Sequence, residues 1–416
     1  MTEKIYASHC ASGKARAGEI VTIQPDVILV NDTSGPITID QLAEMGVAQV
    51  HDPARVVLVA DHFSPAKDIR TAQANLRLRE FGRAQGVKHN YDSLSGGIEH
   101  ALLPEIGMVG PGGIVFGSDS HTCTAGAFNA SGMGFGSTDL SAVLALGELW
   151  VKVPSAIRID LEGAPARFVT GKDVILGIIA ELGSDGALNA ALEFGGSGLK
   201  HLGLDERAAI ANMAVEAGAE TCIFECDHKV LEYVACSGWT QREPVHPDAD
   251  AIYLFRKTVR LDLLQPTVAK PPSPANGVPL SSIGDVSVQQ VYIGNCSNGT
   301  ITDLRQAASL LEKHRVHPNV RLLVVPSTNA IYRQAAAEGL LEVFAKAGAA
   351  VSMPTCGACF GGHMGILAAG ETAVATTNRN FRGRMGHPDS QIYLANAWVA
   401  AAAAIAGKIT DPSTLI

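Results

Sequence analysis

The sequence has no excess of basic residues and no long apolar run. Its 416 residues include 32 Lys and Arg against 41 Asp and Glu, a net charge of −9. This balance argues against a broad basic surface for nucleic acid. The longest apolar stretch, Ala397–Ala406, is too short to cross a bilayer and is predicted to be a buried helix. The first residues lack the apolar segment of a secretory signal, so we expect a protein that carries none.

A disulfide framework and a nucleotide-binding loop are also missing from the sequence. The eight cysteines are irregularly spaced, which favours a reducing, cytoplasmic location over a disulfide scaffold. The glycine cluster at 132–136 lacks the G-x-G-x-x-G spacing, and no P-loop lysine follows it. Charged residues make up only 18% of the chain and glycine is abundant, with 43 residues. This composition predicts a compact α/β enzyme with many tight turns.

The order of the apolar runs predicts alternating strands and helices. Short, nearly all-apolar runs predict buried parallel strands, and longer periodic stretches predict helices between them. The predicted strands are 55–60, 113–117, 288–293 and 320–326, and the predicted helices are 67–85 and 303–314. Alternation of this kind predicts parallel sheets with functional residues at the ends of strands.

A proline-rich segment divides the chain. Four prolines fall within 264–278, which predicts a linker over 264–280 between N-terminal lobes at 1–263 and a C-terminal lobe at 281–416. The aspartate–histidine pairs all precede this segment, and the three cysteines discussed next all follow it. A site that used both would lie between lobes, where small-molecule pockets are common.

Three cysteines are candidate metal ligands. Cys356 and Cys359 form a C-x2-C pair, and Cys296 lies sixty residues upstream in a Gly/Asn loop. Three thiolates can hold a four-iron cluster and leave one iron open to bind a hydroxyl group. On spacing alone, a redox pair, half of a zinc site completed by His363, and chance remain alternatives. The other five cysteines are predicted to be ordinary free thiols.

Candidate acid–base residues follow the apolar runs. Asp61 and His62 come directly after one predicted strand, and Asp119, Ser120 and His121 come after another. A carboxylate beside an imidazole can orient the ring and raise its pKa, which suits a general acid, although such pairs also serve as structural caps. A further candidate acid is Glu193, which stands between apolar residues beside a glycine pair and could equally be a solvent-facing turn residue. His100 alone is more typical of a structural role.

A third candidate group contains two arginines. Arg379 and Arg384 are five residues apart, and Asn378 precedes the first. The planar guanidinium matches a carboxylate with two hydrogen bonds, so the segment is a candidate site for an acidic substrate. Taken alone it could be a solvated basic loop, but the nearby C-x2-C pair favours function.

In sequence the chain resembles the aconitase superfamily, in its branch of two-subunit dehydratases, over nearly its full length. The motifs that carry the resemblance are the segments 59–62, 117–122, 136–139, 295–299, 356–359 and 377–386. The resemblance implies aconitase-like three-layer α/β/α domains around a cleft. It also implies a [4Fe–4S] cluster bound by Cys296, Cys356 and Cys359, and reversible dehydration of a hydroxy dicarboxylate.

The same resemblance assigns roles to individual residues. Asp61 and His62 match a pair near the leaving hydroxyl, and Asp119 and His121 match a second hydrogen-bonding pair. The remaining matches are an acid near an iron-bound water (Glu193) and substrate-binding residues (Asn31, Ser120, Asn378, Arg379 and Arg384). Asn31 stands where the branch usually has histidine, and this departure leaves the substrate open. The family's C-terminal swivel domain is not found in this chain, so a separate small subunit is expected to supply it together with the catalytic base.

Several functions remain open at this level. Isopropylmalate is the leading substrate, and homocitrate-like acids, dimethylmalate, methylmalate or citraconate, and maleate are alternatives. A non-catalytic protein that carries a cluster for regulation, or that only scaffolds a partner, is a rival of another class. A zinc-dependent hydrolase is a rival enzyme that metal content would distinguish.

Overall fold

The computed structural model describes residues 1–92 and 94–416, and within them it shows alternating strands and helices. The strands are β1 (Ile20–Ile23), β2 (Val27–Asn31), β3 (Val56–Ala60), β4 (His89–Asp92), β5 (Ile114–Gly117), β6 (Ser131–Gly134), β7 (Leu149–Lys152), β8 (Ser155–Glu162), β9 (Ala190–Gly195), β10 (Thr221–Phe224), β11 (Arg256–Arg260), β12 (Thr267–Ala269), β13 (Gly277–Pro279), β14 (Gln290–Gly294), β15 (Arg321–Val325), β16 (Ala350–Val351), β17 (Thr372–Ala375) and β18 (Gln391–Leu394). The α-helices are α1 (Thr2–Ala7), α2 (Gly35–Glu44), α3 (Ile69–Gln85), α4 (Glu99–Glu105), α5 (Ser137–Leu146), α6 (Gly171–Leu182), α7 (Leu204–Asn212), α8 (His228–Ser237), α9 (Ile301–Leu311), α10 (Asn329–Ala337), α11 (Leu340–Ala347) and α12 (Ala397–Ala406).

The strands form three main sheets, one for each of three consecutive parts of the chain. The first sheet has the order β4-β3-β2-β5-β6 and the second has the order β10-β9-β8-β11, both with parallel neighbours. The third has the order β13-β12-β18-β17-β14-β15-β16 and is parallel from β18 to β16. Strands β1 and β7 pair separately as an antiparallel ribbon. The predicted α/β class with parallel sheets is confirmed.

Successive residues of a buried strand face two different cores, which accounts for the layered architecture. In β2, Val27 and Leu29 belong to one apolar cluster, whereas Ile28 and Val30 belong to another. Because side chains alternate across a strand, the first sheet is covered on both faces and forms the middle of three layers. The same alternation holds in β14, where Tyr292 faces one cluster and its neighbours Val291 and Ile293 face another.

The segment predicted as a linker contributes to the third sheet instead. Strands β12 and β13 pair with each other as an antiparallel hairpin, and Ala269 of β12 pairs with Leu394 of β18. The prolines of this segment therefore lie in and around an edge hairpin, a place where proline is tolerated because one side of the strand has no partner. The C-terminal unit consequently begins near residue 267, before the predicted start at 281.

Helix α12 is the alanine-rich segment identified in the sequence, and its small side chains are largely buried against α9 and the third sheet. Among the described residues, no helix combines the length and apolarity needed to span a membrane.

Candidate active site

The candidate residues lie where the parallel strands of two sheets end. Asp61 follows β3 and Asp119 follows β5 in the first sheet, while Cys296 follows β14 and Asn378 follows β17 in the third. The carboxyl ends of parallel strands meet at one edge of a sheet, so each sheet delivers its polar residues to one place. The two edges face each other across a cavity lined by His62, Ile98, Glu99, His100, Asp119, His121, Cys296, Cys356, Cys359, Asn378 and Arg384.

The three cysteines converge despite the gap between them in the sequence. All three are buried, and the described residues form no disulfide. Asn378 joins two of the thiols, because its Nδ2 lies 3.4 Å from Cys296 Sγ and its Oδ1 lies 3.0 Å from Cys359 Sγ. Cys356 lies within hydrogen-bonding reach of Cys359. Three sulfur ligands at one cavity are a donor set that suits an iron–sulfur cluster.

The surroundings of these thiols also fit a sulfur-rich anionic group. The amide Nδ2 of Asn212 donates to Cys296 Sγ at 3.2 Å, next to the Asn378 amide. The hydroxyl of Tyr292 is buried beside Gly357, within the C-x2-C pair, and has no hydrogen-bond partner among the described residues. An unpaired buried donor is costly, so a group bound between the cysteines would find an available donor there.

The loop that carries Cys296 is held in a strained conformation. Asn295 has φ of +133°, a region that residues other than glycine rarely occupy. Its side-chain Oδ1 accepts hydrogen bonds from the backbone N–H groups of Ser297 and Asn298, at 3.0 and 2.7 Å. These bonds fix the turn and place the Cys296 side chain at the cavity.

The environment makes the three thiols unequal. Burial raises the pKa of the Cys296 thiol, and the nearby Cys359 adds to this effect. The pKa of Cys359 is held well below its ordinary value because Cys356 donates a hydrogen bond to it and the guanidinium of Arg384 lies close. Of the three thiols, Cys359 is therefore the one whose ionisation these surroundings favour, and the ionised form is the one that binds metal.

Asp61 and His62 form a buried acid–base pair. The ring Nδ1 of His62 lies 2.7 Å from Asp61 Oδ1, which leaves Nε2 as the nitrogen facing Asp119 Oδ2 at 3.9 Å. Burial would lower the pKa of His62, but the Asp61 and Asp32 carboxylates outweigh it and raise the pKa well above its ordinary value. His62 therefore carries a proton at Nε2 that it can donate into the cavity.

Asp119 is the centre of a second hydrogen-bonded group. Its Oδ1 lies 2.8 Å from His100 Nε2 and 3.2 Å from His121 Nδ1. Burial would raise the pKa of Asp119, yet the two imidazoles hold it well below its ordinary value. His100, which the sequence favoured as structural, thus lies at the cavity. Ser120 begins the 3-10 helix Ser120–Phe128 between the two members of this group.

Glu216 is a functional candidate that the sequence reasoning missed. Its Oε1 accepts from Arg379 Nε at 2.5 Å and lies 3.1 Å from His121 Nε2. It thereby fixes the predicted acid–base group and the first arginine relative to each other. Burial would raise the pKa of Glu216, but His121 and Arg379 lower it, so it is ionised. No local pattern around residue 216 marks this role, because the partners lie 95 and 163 residues away.

The structure does not bring Glu193 to this site. Its carboxylate is buried and binds the N-terminal amine of Met1 at 2.9 Å and the backbone N–H of Thr2 at 2.7 Å. Glu193 lies in β9, and its partner Tyr253 is also remote from the cavity. The physical reason is that a lone buried carboxylate needs a compensating cation, and here the amine of Met1 supplies it. The acids that line the cavity together with the cysteines are Glu99 and Asp119, and Glu216 lies behind them on His121 and Arg379.

Asn31 lies behind the cavity wall. It is fully buried, its Oδ1 accepts hydrogen bonds from Thr33 and Ser34, and its Nδ2 donates to Glu99 Oε1 at 3.1 Å. Glu99 lines the cavity at this point and Asn31 does not, so the predicted contact between Asn31 and a substrate is not supported by its position. Glu99 had no sequence signal beyond its place next to His100.

Contacts between the units hold the cysteine and arginine loops in place. The Asp61 carbonyl accepts from the Cys356 N–H at 2.9 Å and from the Thr355 hydroxyl at 2.9 Å. Lys172 of α6, which is completely buried, donates to the carbonyls of Thr376 and Thr377 at 2.9 and 2.7 Å. All three α/β units therefore contribute to the geometry of the site.

A wider cleft leads to this cavity. The open space in and in front of this cleft is about 1250 Å³, against about 280 Å³ at the inner cavity, and the two share His62, Asp119 and Arg384. Arg379, Lys67 and Arg70 line the cleft, and Ile37, Phe63 and Phe360 give it apolar surface. Arg384 Nε donates to the Cys359 carbonyl at 2.7 Å, so the guanidinium is oriented beside the C-x2-C pair. A small acid with an apolar substituent suits this mixture of groups.

Comparison with known proteins supplies the family context. The model of the aconitase family (aconitate hydratase) matches residues 3–407. The 3-isopropylmalate dehydratase large subunit 2 of Rubrobacter xylanophilus is 51% identical over 415 residues, covering 100% of this chain and 98% of that protein. The 3-isopropylmalate dehydratase large subunit of Acetivibrio thermocellus is 48% identical, with 100% and 99% coverage.

A solved structure gives an independent comparison of the fold. The crystal structure of Thermococcus kodakaraensis aconitase X in its holo form aligns with a TM-score of 0.51 at 13% identity. The alignment covers 86% of this chain and 84% of that one. At this level of identity the likeness concerns the fold alone.

Proposed function

This chain belongs to the aconitase family, and on that premise we propose that it is the large subunit of a 3-isopropylmalate dehydratase. The reaction is the reversible removal of water from a hydroxy dicarboxylate, a lyase reaction in leucine biosynthesis. The observation that carries the proposal is the meeting of three buried cysteines, two Asp–His groups and two arginines at one cavity. The names of the full-length relatives supply the substrate.

The cofactor of the proposed enzyme is a [4Fe–4S] cluster held by Cys296, Cys356 and Cys359. The donor set fits, since three sulfurs meet beside two amide donors and the unpaired Tyr292 hydroxyl. When bound, such a cluster supplies an iron without a protein ligand, which acts as a Lewis acid toward the substrate hydroxyl.

The chain's own residues supply an acid and carboxylate binding. His62, oriented by Asp61, holds the proton at Nε2 that converts the departing hydroxyl into water. Arg384 and Arg379 bind the substrate carboxylates from the cleft side, with Arg379 oriented by Glu216. His100 and His121, held together by Asp119, add hydrogen-bonding groups for the substrate.

The base that removes the carbon-bound proton is assigned to a partner. The relatives are named large subunits, and we propose that a small subunit carrying a swivel domain closes the cleft and brings that base. The reduced cysteines and the absence of a membrane-spanning helix among the described residues accord with a cytoplasmic enzyme.

The proposed function is tested by anaerobic reconstitution of iron and sulfide, followed by mixing with a co-expressed small subunit. We expect turnover of 3-isopropylmalate only with both chains, and a kcat/KM at least tenfold above that for homoaconitate, dimethylmalate, citraconate or maleate. A higher value for another acid would reassign the substrate. Turnover by the large chain alone would refute the assignment of the base to a partner.

The cysteine assignment has its own control. Cys296→Ser, Cys356→Ser and Cys359→Ser are expected to lose the brown cluster absorbance, whereas Cys236→Ser, at an exposed thiol, should keep it. Full iron content in Cys356→Ser, or one zinc per chain in place of iron, would contradict the cluster.

A further inference from the structure

Glu99 is a buried acid at the cavity to which no role has been given. It is the first residue of α4 and its side chain is 1% exposed. One of its carboxylate oxygens, a ring nitrogen of His62 and an oxygen of Asp119 all lie within 4.8 Å of one another. Glu99 thus faces the space where the proposed acid acts.

Asn31 determines which oxygen of Glu99 is free. Asn31 Oδ1 faces the backbone N–H groups of Thr33 and Ser34 at 3.1 and 3.2 Å, and these groups can only donate. The other end of the amide must therefore be the NH2 group, which donates to Glu99 Oε1. Glu99 Oε1 is consequently an acceptor.

The second oxygen, Oε2, is buried and has no hydrogen-bond partner among the described residues. Ionisation of Glu99 is unfavourable: burial, together with the neighbouring Asp61 and Asp119, raises the pKa of this carboxyl well above its ordinary value. Because Oε1 accepts from Asn31, the proton of the neutral acid resides on Oε2. Glu99, which lines the cavity, therefore holds an O–H donor that has no partner among the described residues.

We propose that Glu99 binds the substrate as a neutral hydrogen-bond donor, with its Oε2–H directed to a carboxylate oxygen of the hydroxy acid. This inference rests on the proposed function and adds a substrate contact to it. A neutral acid suits this position because the cavity already contains Asp61 and Asp119, and one more negative charge would repel a dicarboxylate. A donor without charge contributes a hydrogen bond and avoids that repulsion.

The test compares Glu99→Gln with Glu99→Leu in the reconstituted two-chain enzyme. Glutamine can accept from Asn31 and still donate toward the substrate, so KM for 3-isopropylmalate and kcat should each stay within about threefold of wild type. Leucine removes the donor, and KM should rise at least tenfold, which corresponds to about 1.4 kcal/mol. The matched control is Glu105→Gln at the other end of α4, where the carboxylate binds Thr328 outside the cavity.

Two outcomes would overturn the inference. A loss of kcat in Glu99→Gln of a hundredfold or more, with cluster absorbance and melting temperature unchanged, would mean that Glu99 exchanges a proton. An unchanged KM in Glu99→Leu would mean that it does not touch the substrate. If the leucine variant fails to fold, the kinetics of Glu99→Gln still decide the question, because glutamine has nearly the same shape as glutamate.

The Glu99 contact can be tested separately from the proposed function. If wild type turns over none of the acids, the same variants are compared by calorimetric binding of malonate to the cluster-loaded chain. Equal affinity in wild type and Glu99→Gln, with a tenfold loss in Glu99→Leu, would support the Glu99 contact even then. Equal affinity in all three would refute it.

Discussion

At the scale of single residues, the site joins side chains that lie more than 80 positions apart in the chain. Asp61, His62 and Cys296 follow strands that are visible as apolar runs, so their place at strand ends could be predicted, whereas Cys356 and Cys359 follow the two-residue strand β16, which has no such run. Glu216 and Asn212 could not be predicted in this way, because their roles arise from contacts with residues more than 80 positions away. The apolar neighbours of Glu193 indicate only that it is buried in β9, and they do not reveal which part of the molecule it faces.

The unpaired Tyr292 hydroxyl allows a prediction about stability. Tyr292→Phe removes a buried donor that has no partner among the described residues and leaves the ring in place, so the protein without the proposed cluster should gain about 1 kcal/mol in free energy of unfolding. The measurement is urea denaturation of the cluster-free chain. Tyr6→Phe is the matched control, because its hydroxyl is also buried but contacts Met133 Sδ. Equal destabilisation of both variants would show that Tyr292 has a partner in the cluster-free state.

At the scale of elements, strands and helices could be predicted where the sequence has a run or a periodic pattern of apolar residues. The proline-rich segment 264–280 has no such pattern, and its strands could not be predicted. Helix α3 and strands β3, β5 and β15 lie within or at the predicted segments. The hairpin β12–β13 was missed because it is short and its prolines are typical of linkers. Its place in the sheet depends on pairing with β18, more than 100 residues later.

Helix α6 allows a prediction about the loop that carries Arg379. Lys172→Met leaves the carbonyls of Thr376 and Thr377 without their donor, so the free energy of unfolding at pH 7 should fall by about 1–3 kcal/mol. Lys229→Met is the matched control: Lys229 also donates to two carbonyls, but it is only half-buried, and its loss should cost less than about 1 kcal/mol. Chemical denaturation of both variants measures the difference. A larger effect at Lys229 would contradict the assigned role.

The difference in stability between wild type and Lys172→Met is expected to depend on pH. Burial lowers the pKa of Lys172 to about 8, from 10.5 for an exposed lysine. Between these values the unfolded chain binds more protons than the folded protein, so the stability of wild type rises with pH. The gap between wild type and Lys172→Met should therefore widen from pH 8 toward pH 10.

At the scale of the whole molecule, the three units share one continuous apolar core. Leu29 of the first sheet, Leu192 of the second and Leu394 of the third belong to the same buried cluster. The sequence suggested separable lobes because the prolines interrupt the alternation of predicted strands and helices. The order of elements along the chain does not reveal which of their faces pack together. The lobes are parts of one packing unit.

A shared core predicts that the lobes do not fold alone. Fragments 1–263 and 264–416, cut at the predicted boundary, should each lack the cooperative thermal transition of the intact chain, since each would expose part of that core. Circular dichroism melting of each fragment and of the intact protein measures this. A sharp transition in the C-terminal fragment at the melting temperature of the intact chain would show independent folding.

The amide bridge at Asn378 has a consequence for the order in which the protein is made. Asn378 touches two of the cysteine sulfurs, and the Asn212 amide that it binds at 2.6 Å touches one of them. The ribosome synthesises residue 212 long before residue 378. Asn212 and Cys296 therefore lack their contacts with Asn378 until that residue has been added. The pocket proposed for the cluster is therefore complete only after residue 378 has been synthesised, and loading of the proposed cofactor must follow that step.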